Sequence, residues 1–275
     1  MIKIIVDSGC DLNDHLRNEV GVSIVPLTLQ LDGKEFIDDE TLDLESYMNE
    51  MSKSSSVKSA APSPQRFLEA FKGEESVFVV TINSVLSGTY NSALLAKQMY
   101  LDEIGDKFIH IFDSLNVSCA ESLIAIKIHE LSKLNLSNLE IVDGVSKFME
   151  HQRLLFILER FDSLVKTGRV NPIIAKVASV LNIKPVCTTI KGTVVMSDKA
   201  RGFKKAVSKL VETVEKEGFD LENKILGITH IKCLDKANYV KDELLKKTKF
   251  KDVVIFEPTG ITSTYGSTGG ILVSF

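Results

Sequence analysis

Several segments of this chain carry hydroxyl and carboxyl side chains where an anion could be held. The most informative is Ser84-Val-Leu-Ser87-Gly88-Thr89-Tyr90-Asn91, between an apolar run at 77–82 and a helical pattern. A turn of this composition places small hydroxyls at a helix start, where unpaired N–H groups and the positive end of the dipole favour negative charge. Gly88 lets a ligand approach the backbone closely. Read alone, the segment fits equally well an ordinary cap, in which Ser87 or Thr89 satisfies its own helix. A second cluster, Val57-Lys-Ser59-Ala-Ala-Pro62-Ser63-Pro64, reads as a loop stiffened by two prolines, with Ser63 capping a helical pattern over 65–71. Asp7-Ser8-Gly9-Cys10-Asp11 and Asp113-Ser114 each follow a strand-like run. Asp11 is expected to cap the next helix. Ligands of open α/β sheets bind beyond the carboxyl ends of the strands, so these four segments are expected to face one crevice.

Enzymatic alternatives find less support. The chain has no G-x-S-x-G elbow and no phosphate loop of the form G-x-x-x-x-G-K-[ST]. Its five histidines (15, 110, 129, 151 and 230) are scattered without metal-ligand spacing, and read as surface or capping residues. A nucleophilic Ser87 lacks an identifiable base. The four cysteines stand singly, without a C-x-x-C pair, and suit small buried hydrophobes better than zinc or a disulfide frame.

The elements that must position these groups follow from periodicity. Residues 2–6, 23–31, 77–82 and 108–112 read as strands, apolar enough to be covered on both faces. Helical spacing over 91–104 and 116–134 alternates with them, which predicts a largely parallel sheet. Beyond residue 150 the reading is a strand at 154–158, helices at 161–166 and 172–181, and a hairpin of 184–190 and 194–197 turning at Lys191-Gly192. A long amphipathic helix at 201–217 follows, then a strand at 224–229, a helix at 233–246 and strands at 253–256 and 271–273. That half predicts a mixed sheet with helices on one face. With 33 basic and 37 acidic residues, a net charge of −4 and no dense basic block, nucleic acid is not an expected partner. No apolar run reaches the ~18 residues of a membrane span, so stable membrane insertion is not expected, and a cytoplasmic location is.

The order of short segments resembles the DegV family from end to end. Asp7-Ser8 with Asp11-Leu12, Val25-Pro26-Leu27, residues 59–64, Leu86-Ser-Gly-Thr-Tyr-Asn-Ser-Ala93, Asp113-Ser114, Lys166-Thr-Gly-Arg169, Asn182-Ile-Lys-Pro185 and Arg201 carry the likeness. The resemblance implies two α/β domains: 1–151, a three-layer α/β/α parallel-sheet domain, and 152–275, a two-layer α/β mixed-sheet domain. It implies a long-chain fatty acid such as palmitate bound at their interface, with no cofactor and no metal. It assigns the carboxylate to Ser59 and Ser87, with Gly88 and Thr89 at the helix start. Arg169 and Arg201 match arginines of the family, which in kinase-linked members are associated with the phosphoryl group or partner. The implied role is a non-catalytic lipid carrier, able in some members to present its acid to a separate fatty acid kinase.

Two departures bear on that role. Where the family reads Thr-Ser-Gln-Pro-Ser, this chain has Ser59-Ala60-Ala61-Pro62-Ser63, keeping one hydroxyl and losing two polar groups. Near the C-terminus a family histidine before a Gly-Pro-Gly turn is missing from Thr262-Ser-Thr-Tyr265-Gly-Ser-Thr-Gly269-Gly270, which weakens the link to a kinase. Two rival readings share the anion-friendly turn. One is an enzyme on a small phosphorylated or carboxylated metabolite, suggested by the family's distant fold relationship to dihydroxyacetone kinases. The other is an interaction protein that responds to lipid.

Overall fold

Apolar alternation along the strands decides which face each sheet buries. The computed structural model describes residues 1–275. Up to residue 150 it contains β1 (Ile2–Asp7), α1 (Asp14–Val20), β2 (Val22–Val25), β3 (Thr28–Leu31), β4 (Lys34–Ile37), α2 (Leu44–Met51) and β5 (Val57–Ala60). Then come α3 (Pro64–Ala70), β6 (Ser76–Thr81), α4 (Thr89–Glu103), β7 (Ile109–Asp113), α5 (Cys119–Ser132) and α6 (Asn138–Glu150). The rest comprises β8 (Leu154–Ile157), α7 (Asp162–Lys166), α8 (Pro172–Ala178), β9 (Ile183–Ile190), β10 (Thr193–Arg201) and α9 (Phe203–Glu217). It closes with β11 (Ile225–His230), α10 (Leu234–Leu245), β12 (Asp252–Phe256), α11 (Gly260–Gly266) and β13 (Ile271–Ser274).

The first sheet is wholly parallel, in the order β2-β1-β6-β7. Ile5, Val77 and Val79 point to one face, where Phe67, Phe71 and Ala93 of the α3–α4 layer cover them. Ile4, Val6, Phe78 and Val80 point to the other. The second sheet runs β10-β9-β8-β13-β11-β12 and is antiparallel except for β11 with β12. Its Leu155, Ile157 and Val273 pack on Val207 and Leu210 of α9 and Val240 of α10, at the i, i+3, i+4 spacing of amphipathic helices. Leu154, Phe156 and Leu272 project oppositely, into the same core as Ile4 and Phe78. The mixed α/β architecture therefore has a parallel four-stranded sheet and a separate mixed sheet, as the periodicity implies.

Helix α5 lies between the two sheets, against β1 and β6 on one side and β11 and β13 on the other. Every residue from Cys119 to Ile126 is buried, Glu121 included. A helix enclosed all round must be apolar all round, and this one nearly is.

One expected strand is two. Residues 23–31 divide into β2, in the parallel sheet, and β3, in a small antiparallel sheet of order β4-β3-β5. Pro26 causes the break, since it has no N–H for a ladder, and the next N–H, of Leu27, goes to Ser8 Oγ at 3.1 Å. The expected loop at 57–64 begins as strand β5, with Ser59 opposite Leu29. The prolines end that strand instead of stiffening a loop that holds Ser59.

Candidate functional site

Because Phe156 and Leu272 turn away from α9 and α10, with Leu158 beyond β8 on the same side, the second sheet offers an apolar floor toward the first. Above it lies a partly open cavity with a mostly apolar lining and a few polar side chains, the make-up of a small-molecule site. Ile82, Leu86 and Val117 from the loops after β6 and β7, Leu164 of α7 and Ile261 of α11 supply the other apolar walls.

Four polar residues on this wall are joined or adjacent. Ser59 Oγ and Tyr265 Oη are 2.9 Å apart. Arg169 Nη1 donates to Tyr265 Oη at 3.1 Å and Nε donates to the Leu86 carbonyl at 2.8 Å. The guanidinium carbon sits 5.0 Å from the centre of the Tyr265 ring, a cation–π distance. Ser87 follows Leu86 and lines the same space. Gly168, with φ of 73°, ends the α7 turn in the left-handed region and returns the chain so that Arg169 N–H meets the Leu164 carbonyl at 2.8 Å. Other hydroxyls on the wall are already engaged: Ser118 donates to Asp11, Thr189 donates to Asn116, and Thr262 accepts from Thr259 Oγ1 at 3.4 Å.

Arg169 donates only to neutral oxygens, although it lies half-buried beside an apolar cavity. A guanidinium has about five N–H donors in a planar fork suited to a carboxylate. Most of them have no protein acceptor here. The site can therefore take one carboxylate between a cation and three hydroxyls, with an apolar chain behind it.

The remaining expected residues are placed unevenly. Gly88 is the cap residue of α4, with φ of −75°, and an added Cβ would meet nothing nearer than Ala61 Cβ at 3.8 Å. Neither backbone nor packing demands glycine there. Thr89 is fully buried and supports Ser87, the two hydroxyls being 2.8 Å apart. Arg201 ends β10 exposed, seven residues beyond the cavity-lining Val194. It is not among the residues lining the cavity and makes no hydrogen bond to the head-group cluster.

Two expectations about the strand ends are corrected. Asp11 does not cap α1, because Asn13 does so by accepting the Leu16 N–H at 3.0 Å. Asp11 is instead buried, accepting from the Thr259 N–H at 2.9 Å and from Ser118 Oγ. Nor do the other acids face the cavity. Asp7 takes the N–H groups of Gly9 and Ile82, both at 2.7 Å, and Asp113 takes that of Ser84 at 3.0 Å. These carboxylates brace the loops that form the wall, since loop N–H groups left out of a ladder need an acceptor.

Behind the wall the acids form a set that sequence reading missed in part. Burial pushes Asp7 up to about 7, against its two N–H bonds. Burial likewise raises Asp11 and Asp38 to about 6. Glu121 is held well above the usual carboxyl range by burial and then by Asp7 and Asp11. Asp38 and Tyr265 were not among the expected contacts. Tyr265 had one signal, its place in the segment where the resemblance leads one to look for a histidine.

Comparison with known proteins identifies the family and the fold. The family model described as "Uncharacterised protein, DegV family" matches residues 1–274. A DegV domain-containing protein of Streptococcus pyogenes serotype M1 is 38% identical over 279 residues, spanning 99% of this chain and 98% of the relative. A DegV family protein of Ruminococcus gnavus, solved with vaccenic acid, superposes with a TM-score of 0.95 at 35% identity, covering 100% of this chain and 99% of that one. The Streptococcus pneumoniae Fatty Acid Kinase (Fak) B3 protein, loaded with linoleic acid, gives 0.92 at 33% identity with the same coverage. By sequence over its whole length and by fold, this chain belongs to the DegV family.

Proposed function

We propose that this protein binds a long-chain fatty acid, its carboxylate held by Arg169, Tyr265, Ser59 and Ser87 and its acyl chain lying on the apolar walls. The observation that carries this reading is Arg169, a cation at an apolar cavity whose only protein acceptors are neutral. The fatty acids in the solved relatives support the same ligand class. Each buried methylene contributes roughly 0.8 kcal/mol, so a long tail supplies most of the affinity and the polar cluster need only fix the head. We further propose that residues 1–151 and 152–275 act as two units closing on the acid, since the second sheet walls one side and the loops after β6 and β7, with Ser59 of β5, wall the other. In this reading the protein is a carrier and not an enzyme, and a fatty acid kinase is the partner that the pneumococcal relative suggests.

Native mass spectrometry of the protein as purified is expected to show a bound long-chain acid. An empty protein that also fails to bind palmitate directly would overturn the reading. Ser87→Ala is expected to weaken palmitate binding roughly ten- to a hundredfold, the value of one hydrogen bond to a charged acceptor. Isothermal titration checks this, and unchanged affinity removes Ser87 from the site.

A further inference from the structure

We infer that Asp38, with Asp11 beside it, is a positioning residue that sets the head-group contacts from outside the cavity through α11, and that ligand binding draws protons into this buried acidic set. The inference rests on the fatty-acid reading above.

Helix α11 lies in sequence between β12 and β13 of the second sheet but is docked into the first half of the chain. Asp38, just after β4, accepts the Gly260 N–H with one carboxylate oxygen at 2.8 Å and the Ile261 N–H with the other at 2.9 Å. These are the first two residues of α11, whose N–H groups have no partner within the helix. Asp11 takes the preceding N–H, of Thr259, at 2.9 Å and the Thr259 hydroxyl at 3.2 Å. A Cβ on Gly260 would lie 2.5 Å from Asp38 Oδ1 and 2.6 Å from Leu29 Cδ1, so only glycine permits this approach. From that anchorage α11 carries Ile261, Thr262 and Tyr265 to the cavity wall. Tyr265 Oη then meets both Ser59 and Arg169. Asp38 thus reaches the head-group cluster through little more than one turn of helix.

The charge around this anchorage is of one sign. Asp7 at the end of β1, Asp11 after it, Glu121 of α5 and Tyr47 of α2 surround the contact, with Cys10 near Glu121, and no cation is among the groups that act on Asp38, Asp11 or Asp7. Glu121 is fully buried and neither of its carboxyl oxygens has a hydrogen-bond donor. A region with four buried carboxyl groups and no base keeps some of them protonated. Bringing one more carboxylate to the other side of the wall adds like charge. The set answers by taking up protons, and affinity rises as pH falls, by up to about tenfold per pH unit for each proton gained.

The test is isothermal titration of the full chain with palmitate, in pairs of buffers with different ionisation enthalpies between about pH 6 and 8. The wild type is expected to take up protons on binding. Asp38→Asn can accept one N–H but turns its amide hydrogens toward the other. It is expected to bind at least roughly tenfold more weakly and to take up fewer protons. The acid's own titration is common to both proteins and cancels in that difference. A variant that melts earlier yet binds with the wild-type affinity and proton count overturns the inference, because a purely structural role predicts that pattern. Should Asp38→Asn fail to fold, Thr259→Val removes the hydroxyl bond to Asp11 together with the cap on the Thr262 N–H while leaving both Asp38 bonds in place, and an unchanged proton count there overturns it equally. A wild type that binds no palmitate overturns the fatty-acid reading and this one together.

Discussion

Arg169→Ala is expected to lower palmitate affinity by about two orders of magnitude while leaving the affinity for hexadecanol nearly unchanged. The alanine removes the only cation on the cavity wall together with two or more charge-assisted hydrogen bonds, each contributing roughly 1.5–3 kcal/mol. Hexadecanol keeps the apolar chain but offers no charge for the guanidinium to meet, so its affinity comes from the walls alone. The fold should tolerate the change. Arg169 is half-buried, and its loss releases one backbone carbonyl, of Leu86, and the Tyr265 hydroxyl to other donors. Arg169→Lys should recover only part of the difference, because a point charge cannot reproduce the fork that spans two oxygens. Displacement of a fluorescent fatty acid measures both ligands. Equal losses for acid and alcohol would mean that Arg169 shapes the cavity and does not bind the head.

Glu121→Gln is expected to raise stability at pH 8, and the wild type is expected to lose stability between about pH 4 and 7. Glu121 and Asp7 flank Gly9 so closely that one added Cβ there would lie 2.8 Å from Glu121 Oε2 and 2.9 Å from Asp7 Oδ1. A protonated Glu121 donates to Asp7, raising Glu121 and lowering Asp7, which gives the otherwise unpartnered Glu121 oxygens a role. Asp7, pushed up to about 7 from 3.8, binds a proton in the folded chain that the unfolded chain has already released. Folding stability is then greatest below the unfolded value and falls as pH rises through the folded one. Asp11 and Asp38, each at about 6, act in the same direction. Their window runs from about 4 to about 6 and that of Asp7 to about 7, with roughly a factor of ten in the folding equilibrium per pH unit for each proton. Burial lowers His110 and His129, which works the opposite way, so the contrast between wild type and variant is the cleaner measure. A glutamine amide donates to Asp7 at every pH and ends the dependence on the Glu121 proton. Urea unfolding at pH 5.5 and 8 tests this. A variant less stable than wild type at pH 8 would rule that donated proton out.

Much of the fold is legible in the sequence, and what is hidden has identifiable causes. Strands such as β1, β6 and β7 show themselves because burial on both faces demands unbroken β-branched runs. Long helices such as α9 do so because one face must stay polar. Short elements give no such signal. The four-residue β5 reads as a proline-rich loop, since its two inward residues, Val57 and Ser59, cannot establish a period. Helix α11 spans Gly-Ile-Thr-Ser-Thr-Tyr-Gly, a composition of low helix propensity that is held by Asp38 and Asp11 from elsewhere in the chain. The site divides along the same line. Ser59 and Ser87 are found where a hydroxyl stands beside a turn or helix start. Tyr265 comes from a segment with no local anion signal, and Asp38 sits after an edge strand. Their parts depend on contacts across more than two hundred residues, which periodicity does not record.

The enclosed helix α5 also changes what it means for this protein to come apart. Its inner turns rest on both sheets at once, so neither sheet can peel away without uncovering apolar surface that belongs to the other. Opening the seam is therefore coupled to uncovering both halves. An acyl chain in the cavity would rest on the second sheet and on the loops that end the first, and would fasten the protein along that same boundary.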